Sequence, residues 1–182
     1  WPAGATMKIE DKDRVLGSQH DGVSADMDLA WDASNLYVFA HVKDDTPMQN
    51  AYDNDVIWNG DALELFVGPQ YLKDPGTLKV TDSQIILSAK GTYYWYNEKA
   101  TQPEIQLATK LDTDGQGYTV EAAIPMSGLN ISDAANGRQL RFDIGFDNGV
   151  GTQRVAQYLW NGTDKNSSSR DKWGMATLVD KT

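Results

Sequence analysis

Apolar and polar residues alternate with a period of two along most of the chain, and short clusters of Gly, Asn, Asp and Pro interrupt the alternation. That is the pattern of half-buried strands joined by turns. Leu36, Val38, Ala40 and Val42 fall on one face of a predicted strand, and Tyr37, Phe39, His41 and Lys43 on the other. Asp61 to Val67 likewise groups Leu63, Leu65 and Val67 against Ala62, Glu64 and Phe66. Further strands are predicted over 26–31, 84–90, 93–98, 105–111, 118–124, 140–146, 155–160 and 173–179. Turns are expected at 32–35, at Lys90-Gly91 and at Asp112-Thr113-Asp114-Gly115. Pro125 should end its strand, because it cannot donate to a continuing ladder. Only Met126 to Leu129 and Asp133 to Asn136 suggest a helical turn. About ten short strands in 182 residues predict one all-β domain spanning 1–182, an antiparallel two-sheet β-sandwich.

The formal net charge of −10 changes the picture of possible partners. Such a surface repels nucleic acid and anionic membranes, and no run of Lys or Arg offsets it. No apolar stretch is long enough to span a bilayer. The sequence contains no cysteine, which excludes disulfides, thiolate metal sites and a cysteine nucleophile. Its two histidines are too few for a histidine metal cage, and no nucleophile elbow or phosphate loop occurs. The many carboxylates read as solvated surface acids, so the domain is expected to be non-catalytic. The opening Trp1-Pro2-Ala3-Gly4 carries no leader and reads as the start of a mature or excised piece.

Six tryptophans and eight tyrosines are the informative excess. Sugars present C–H faces that stack on aromatic rings while their hydroxyls hydrogen-bond at the rim. Trp31 and Trp173 suit a core. Trp58 sits in a polar loop just before a strand, and Tyr93-Tyr94-Trp95-Tyr96 puts rings on both faces of one strand.

The string from Asp26 to Asp45, with its Trp31-Asp32 turn and Leu36-Tyr37-Val38 strand, resembles the family 9 carbohydrate-binding modules. Trp58-Asn-Gly-Asp-Ala-Leu-Glu-Leu-Phe66 is similar to that family's entry into a core strand, and 117–124 and 140–146 resemble two later ones. The resemblance implies a secreted or periplasmic β-sandwich that binds a poly- or oligosaccharide beside a covalently linked catalytic domain. It assigns Trp58 to stacking and Glu64 to hydroxyl recognition. The family's second tryptophan falls at Ser169, and an arginine and a glutamine of its polar set fall at Ile86 and Gly145. Trp95 or Trp160 is therefore expected to supply the second wall. The resemblance also implies structural calcium, for which Asp44, Asp45, Asp53, Asp55 and Asp61 supply hard oxygens. Two other readings of the scaffold are a spacer without a sugar site and a b-type haem carrier using Met48 and His41.

Overall fold

A computed structural model of the chain describes residues 6–71, 76–96 and 102–180. Two antiparallel sheets pack face to face, as the alternation predicts. Among the described residues there are twelve strands: β1 (Thr6–Ile9), β2 (Arg14–Gly17), β3 (Ser24–Trp31), β4 (Asn35–Lys43), β5 (Ala62–Pro69), β6 (Ser83–Ser88), β7 (Tyr93–Tyr96), β8 (Gln106–Leu111), β9 (Gly117–Pro125), β10 (Gln139–Val150), β11 (Gln153–Leu159) and β12 (Gly174–Thr177). The smaller sheet has the order β1-β3-β4-β9-β8. The larger runs β2-β11-β10-β5-β6-β7, with β12 also pairing with β10.

The inward residues are those the period placed together. Leu36, Val38, Ala40 and Val42 of β4 meet Leu63, Leu65 and Val67 of β5, with Ile144, Phe146 and Tyr158 beside them, in one apolar core. Burying a large apolar side chain stabilises by about 1.5–3 kcal/mol, so register is strongly fixed here: a one-residue slip would expose the whole set. The predicted turns form as read. Gly91 and Gly115 take positive φ, and the Gly115 N–H donates to the Asp112 carbonyl over 3.0 Å. Pro125 is the last residue of β9.

The sequence pattern missed β1 and β2, whose four residues each are too few to show a period, and it stopped β10 four residues early. It also carried the β7 strand to Glu98; positions 97 and 98 lie outside the described residues.

The outward face of the larger sheet is not left to water. Every residue of β5 is buried, on both faces. Two loops cover that face, one preceding β5 and one following β11. Beneath the first, Ile57, Ala62 and Ile86 form a small apolar cluster with Tyr52, Trp58, Tyr94 and Tyr96 packed around it. Beneath the second, Phe66, Leu159 and Trp173 form another. Between the two clusters the cover has a gap.

Candidate functional site

The gap is a pocket of about 320 Å³. Trp58 lines it from the first loop, Asp164, Asn166 and Ser167 line it from the second, and Glu64, Gln84, Tyr96, Arg154 and Gln157 line it from the sheet. Each wall has a local cause. A short 3₁₀ turn, Ile57–Asn59, drives Ile57 into the sheet, and its neighbour Trp58 is left half-buried. The Asn50 side-chain amide ties that turn down by donating to the carbonyls of Ile57, at 2.9 Å, and Asp61, at 3.3 Å. Opposite, the loop 161–170 is built around Asp143. The carboxylate accepts from the Asn161 N–H at 3.0 Å and from the Asn166 amide at 2.6 Å. Burial pushes Asp143 up to about 6 despite these donors. The fully buried Arg170 staples the same loop to the sheet through Asp82, at 3.0 Å, and the Pro69 carbonyl, at 2.6 Å.

The floor is charged and closely wired. Glu64 accepts from the side-chain amides of Gln84 (2.7 Å) and Gln157 (2.5 Å). The Arg154 guanidinium donates to Asp147 at 2.8 Å, stands 3.8 Å from Glu64, and lies over the Trp58 ring at 4.7 Å from its centroid. Burial raises the Glu64 carboxyl, and Arg154 with the two amides pulls it back. Asp147 is raised well above the carboxylate range by burial and then by the charge of Glu64. The Tyr96 hydroxyl donates to the Asp55 carbonyl at 2.5 Å, linking the aromatic wall to the Trp58 loop.

Of the four sequence-predicted ligand residues, the pocket brings together Trp58 and Glu64. Trp95 is a correction: it pairs with Ile85 on the inward face, is 5% exposed and belongs to the core. Its neighbour Tyr96 takes the pocket position. Trp160 also lies outside this pocket. It packs on Phe142, 6.3 Å between ring centroids, and against Gly174, away from the pocket. Ser169 does not stand in for an indole. Its hydroxyl donates to the Gly76 carbonyl at 2.8 Å and fastens the loop.

Ile86 is buried in the cluster under Trp58. At Gly145 any Cβ would meet the Tyr158 carbonyl oxygen at 1.8 Å, so no glutamine fits there. Gln84, Arg154 and Gln157, which sequence reasoning missed, bring polar groups to the pocket. Gln84 and Gln157 were legible as polar residues on strands with apolar neighbours. Arg154 was not, because unbroken alternation along β11 would place it on the inward face with Ala156 and Tyr158.

The five aspartates do not form one cluster. Among the described residues no group of three or more acidic or histidine side chains is placed to hold a metal. Asp53 pairs with Lys90 at 2.7 Å and Thr92 at 3.0 Å, and Asp55 is exposed; both lie apart from the rest. Asp45 is engaged by His20 at 2.8 Å. Asp44 and Asp61 do meet, their carboxyl groups within hydrogen-bonding reach. Asp61 also accepts from the N–H groups of Gln49 (2.5 Å) and Gly149 (2.7 Å). Burial and the charge of Asp44 push Asp61 up to about 8. The haem residues are separated as well. His41 bonds Asp112 at 2.8 Å on the outward face of the smaller sheet, whereas Met48 packs on the inter-sheet core.

Comparison with known proteins identifies the family. The chain is 31% identical over 177 residues to endo-1,4-beta-xylanase A of Thermotoga neapolitana, covering 96% of this chain and 16% of that protein. It is 27% identical over 184 residues to endo-1,4-beta-xylanase C of Paenibacillus barcinonensis, covering 98% of this chain and 15% of that one. The chain thus spans about a sixth of the length of the curated relatives it matches. A solved family 9 carbohydrate-binding module from Caldicellulosiruptor kristjanssonii, in complex with cellotriose, has the same fold. It superposes with a TM-score of 0.76 at 20% identity, over 93% of this chain and 83% of that one. The same module with glucose gives 0.74. The family described as carbohydrate family 9 binding domain-like matches residues 1–181, and the chain belongs to that family of non-catalytic binding modules.

Proposed function

We propose that the Trp58 pocket is this domain's carbohydrate site and that it takes a neutral oligosaccharide. The observation that supports this most is the pocket's combination of an aromatic wall with unmet polar groups. Trp58 and Tyr96 offer rings for a pyranose face, while Gln157 Oε1 and Arg154 Nε are buried without a hydrogen-bond partner. A buried polar atom left unpaired costs about 1–3 kcal/mol, and a ligand hydroxyl would recover it. In this reading Trp58 stacks on the sugar, and Glu64, fixed by Gln84 and Gln157, accepts from a hydroxyl. By analogy with its xylanase relatives, the domain tethers an exported polysaccharide-degrading enzyme to substrate, outside the cell or in the periplasm. Tethering raises the local substrate concentration without adding chemistry.

The test is calorimetric titration with cellotriose, xylotriose and glucose on the unmodified chain, Trp58→Ala and Trp160→Ala. Trp58→Ala should weaken binding at least tenfold, about 1.4 kcal/mol, and Trp160→Ala should leave it within twofold. Equal affinity in Trp58→Ala would place the sugar elsewhere.

A structural calcium ion belongs to the same proposal. Asp44 and Asp61 bring two buried carboxyl groups together, and the nearby Asn148, 2% exposed, has a buried Oδ1 with no hydrogen-bond partner. Gly149, next to it, already contacts Asp61. These hard oxygens fit calcium. Held by Asp44, Asp61 and Asn148, the ion would supply the positive charge that the pair lacks and fasten the Trp58 loop to β10.

A further inference from the structure

Arg154 reaches the pocket through an irregularity in β11. In the β10–β11 ladder, Asn148 pairs with Ala156 and Gly149 pairs with Arg154, so Val155 is an extra residue facing no partner. This is a β-bulge, which reverses the alternation on one side of itself. Without it, Arg154 would share the inward face with Ala156 and Tyr158. With it, Arg154 joins Gln157 on the outward face, and both side chains converge on the same oxygen, Glu64 Oε2. The neighbouring β2 strand follows the bulge closely: a Cβ on Gly17 would lie 1.9 Å from the Val155 carbonyl oxygen.

Three properties meet at this one guanidinium. Its central carbon lies over the Trp58 ring, 4.7 Å from the centroid, a cation–π contact worth about 0.5–2 kcal/mol and better suited to a planar arginine head than to an ammonium. Its ion pair with Asp147, a residue with no exposed surface, fixes it from below. Its Nε–H is a donor without a partner, and its neighbour Gln157 Oε1 is an acceptor without one.

Building on the carbohydrate reading of this pocket, we infer that Arg154 is its specificity-determining residue: it holds the Trp58 indole in place and, with Gln157, selects a sugar presenting two neighbouring hydroxyls, one accepting from Arg154 Nε and the other donating to Gln157 Oε1. The bulge thus restores from β11 the cation that the family's pattern would place on β6, where this chain carries Ile86.

Arg154→Lys separates the roles, because lysine keeps the charge against Asp147 and Glu64 but loses the planar head and the Nε–H. Affinity for glucose and its monodeoxy derivatives is compared in the unmodified chain and in this variant, with Trp58→Ala alongside. The expected result is at least tenfold weaker binding of glucose by Arg154→Lys, with the melting temperature lowered by no more than about 8 °C. The penalty for removing one particular hydroxyl, present in the unmodified chain, should vanish in the variant. Without ligand, acrylamide quenching of Trp58, isolated by difference against Trp58→Phe, should increase.

Loss of binding in Trp58→Ala with unchanged affinity and deoxy-sugar profile in Arg154→Lys would overturn the inference and leave the pocket standing. Unchanged binding in Trp58→Ala would overturn the pocket reading itself. Unchanged quenching would overturn the role of Arg154 in holding the indole.

Discussion

Two pairs of buried carboxyl groups lie near the Trp58 loop, and the fold treats them differently. Glu64 and Asp147 share a cation from the chain itself, since Arg154 contacts both. Asp44 and Asp61 meet with none; their partners are the N–H groups of Thr46, Gln49 and Gly149 and the Thr46 hydroxyl. A charge taken out of water needs a counter-charge or a proton. The first pair shares one guanidinium, so with a proton kept on the raised Asp147 it is neutral and can face a neutral ligand without drawing in an ion. The second leaves its negative charge to a proton or to an added cation. Pockets for sugars and sites for calcium both call for converging oxygens, and the position of one arginine separates them.

The largest effect should come from removing that arginine. Arg154→Met leaves two buried carboxylates without their cation and is expected to cost about 3–5 kcal/mol in denaturant unfolding at neutral pH. Adding Glu64→Gln and Asp147→Asn to the same chain should recover much of the loss. A cost below about 1 kcal/mol for the single variant would mean that the two pairs are not balanced differently after all.

The second pair makes the complementary prediction. Calcium at a hundred times its dissociation constant should stabilise the domain by about 2.7 kcal/mol, and a chelator should remove that gain. Asp61→Asn should abolish the calcium response while leaving the Arg154 pair untouched. An equal calcium response in Asp61→Asn would move the ion elsewhere.

Asp143 sharpens the contrast as a third case, an acid whose carboxylate accepts from the N–H groups of Ile144 and Asn161 and from the Asn166 amide. Its folded pKa of about 6 lies above the unfolded value of about 4. The folded state therefore binds the proton more tightly. This contribution to stability is complete below about pH 4, falls as pH rises, and is lost once pH passes about 6. Unfolding free energies measured between pH 4 and 7 should show a decline to which Asp61, raised to about 8, contributes as well, and Asp143→Asn should make it shallower without abolishing it. The same decline in Asp143→Asn would assign it to another group.

The sandwich was readable because burial acts on the period of single strands. The inward faces of β4 and β5 follow from alternation alone, and the turns at Gly91 and Gly115 from residues that tolerate positive φ. Trp58 was readable for a related reason, as a large ring in a polar loop ahead of a strand. The second aromatic was placed one residue off. Alternation in Tyr93-Tyr94-Trp95-Tyr96 separates two faces without naming the inner one, and the adjoining β6 offers Ile85, Ile86 and Leu87, apolar on both faces. Only the pairing of Ile85 with Trp95 turns Tyr96 toward the pocket. The five aspartates looked alike because sequence proximity is not convergence: Asp53 found Lys90, while Asp61 turned inward to Asp44.

The sequence by itself determined the all-β class, the phase of most strands, the acidic surface and the candidacy of Trp58, since each depends on neighbours within a few positions. Tertiary structure decided which buried acids share a cation, which aromatic completes the wall and how Arg154 reaches the outward face. Those outcomes turn on pairing register and on one bulged residue, and a one-residue change in register carries every following side chain to the opposite face of the sheet.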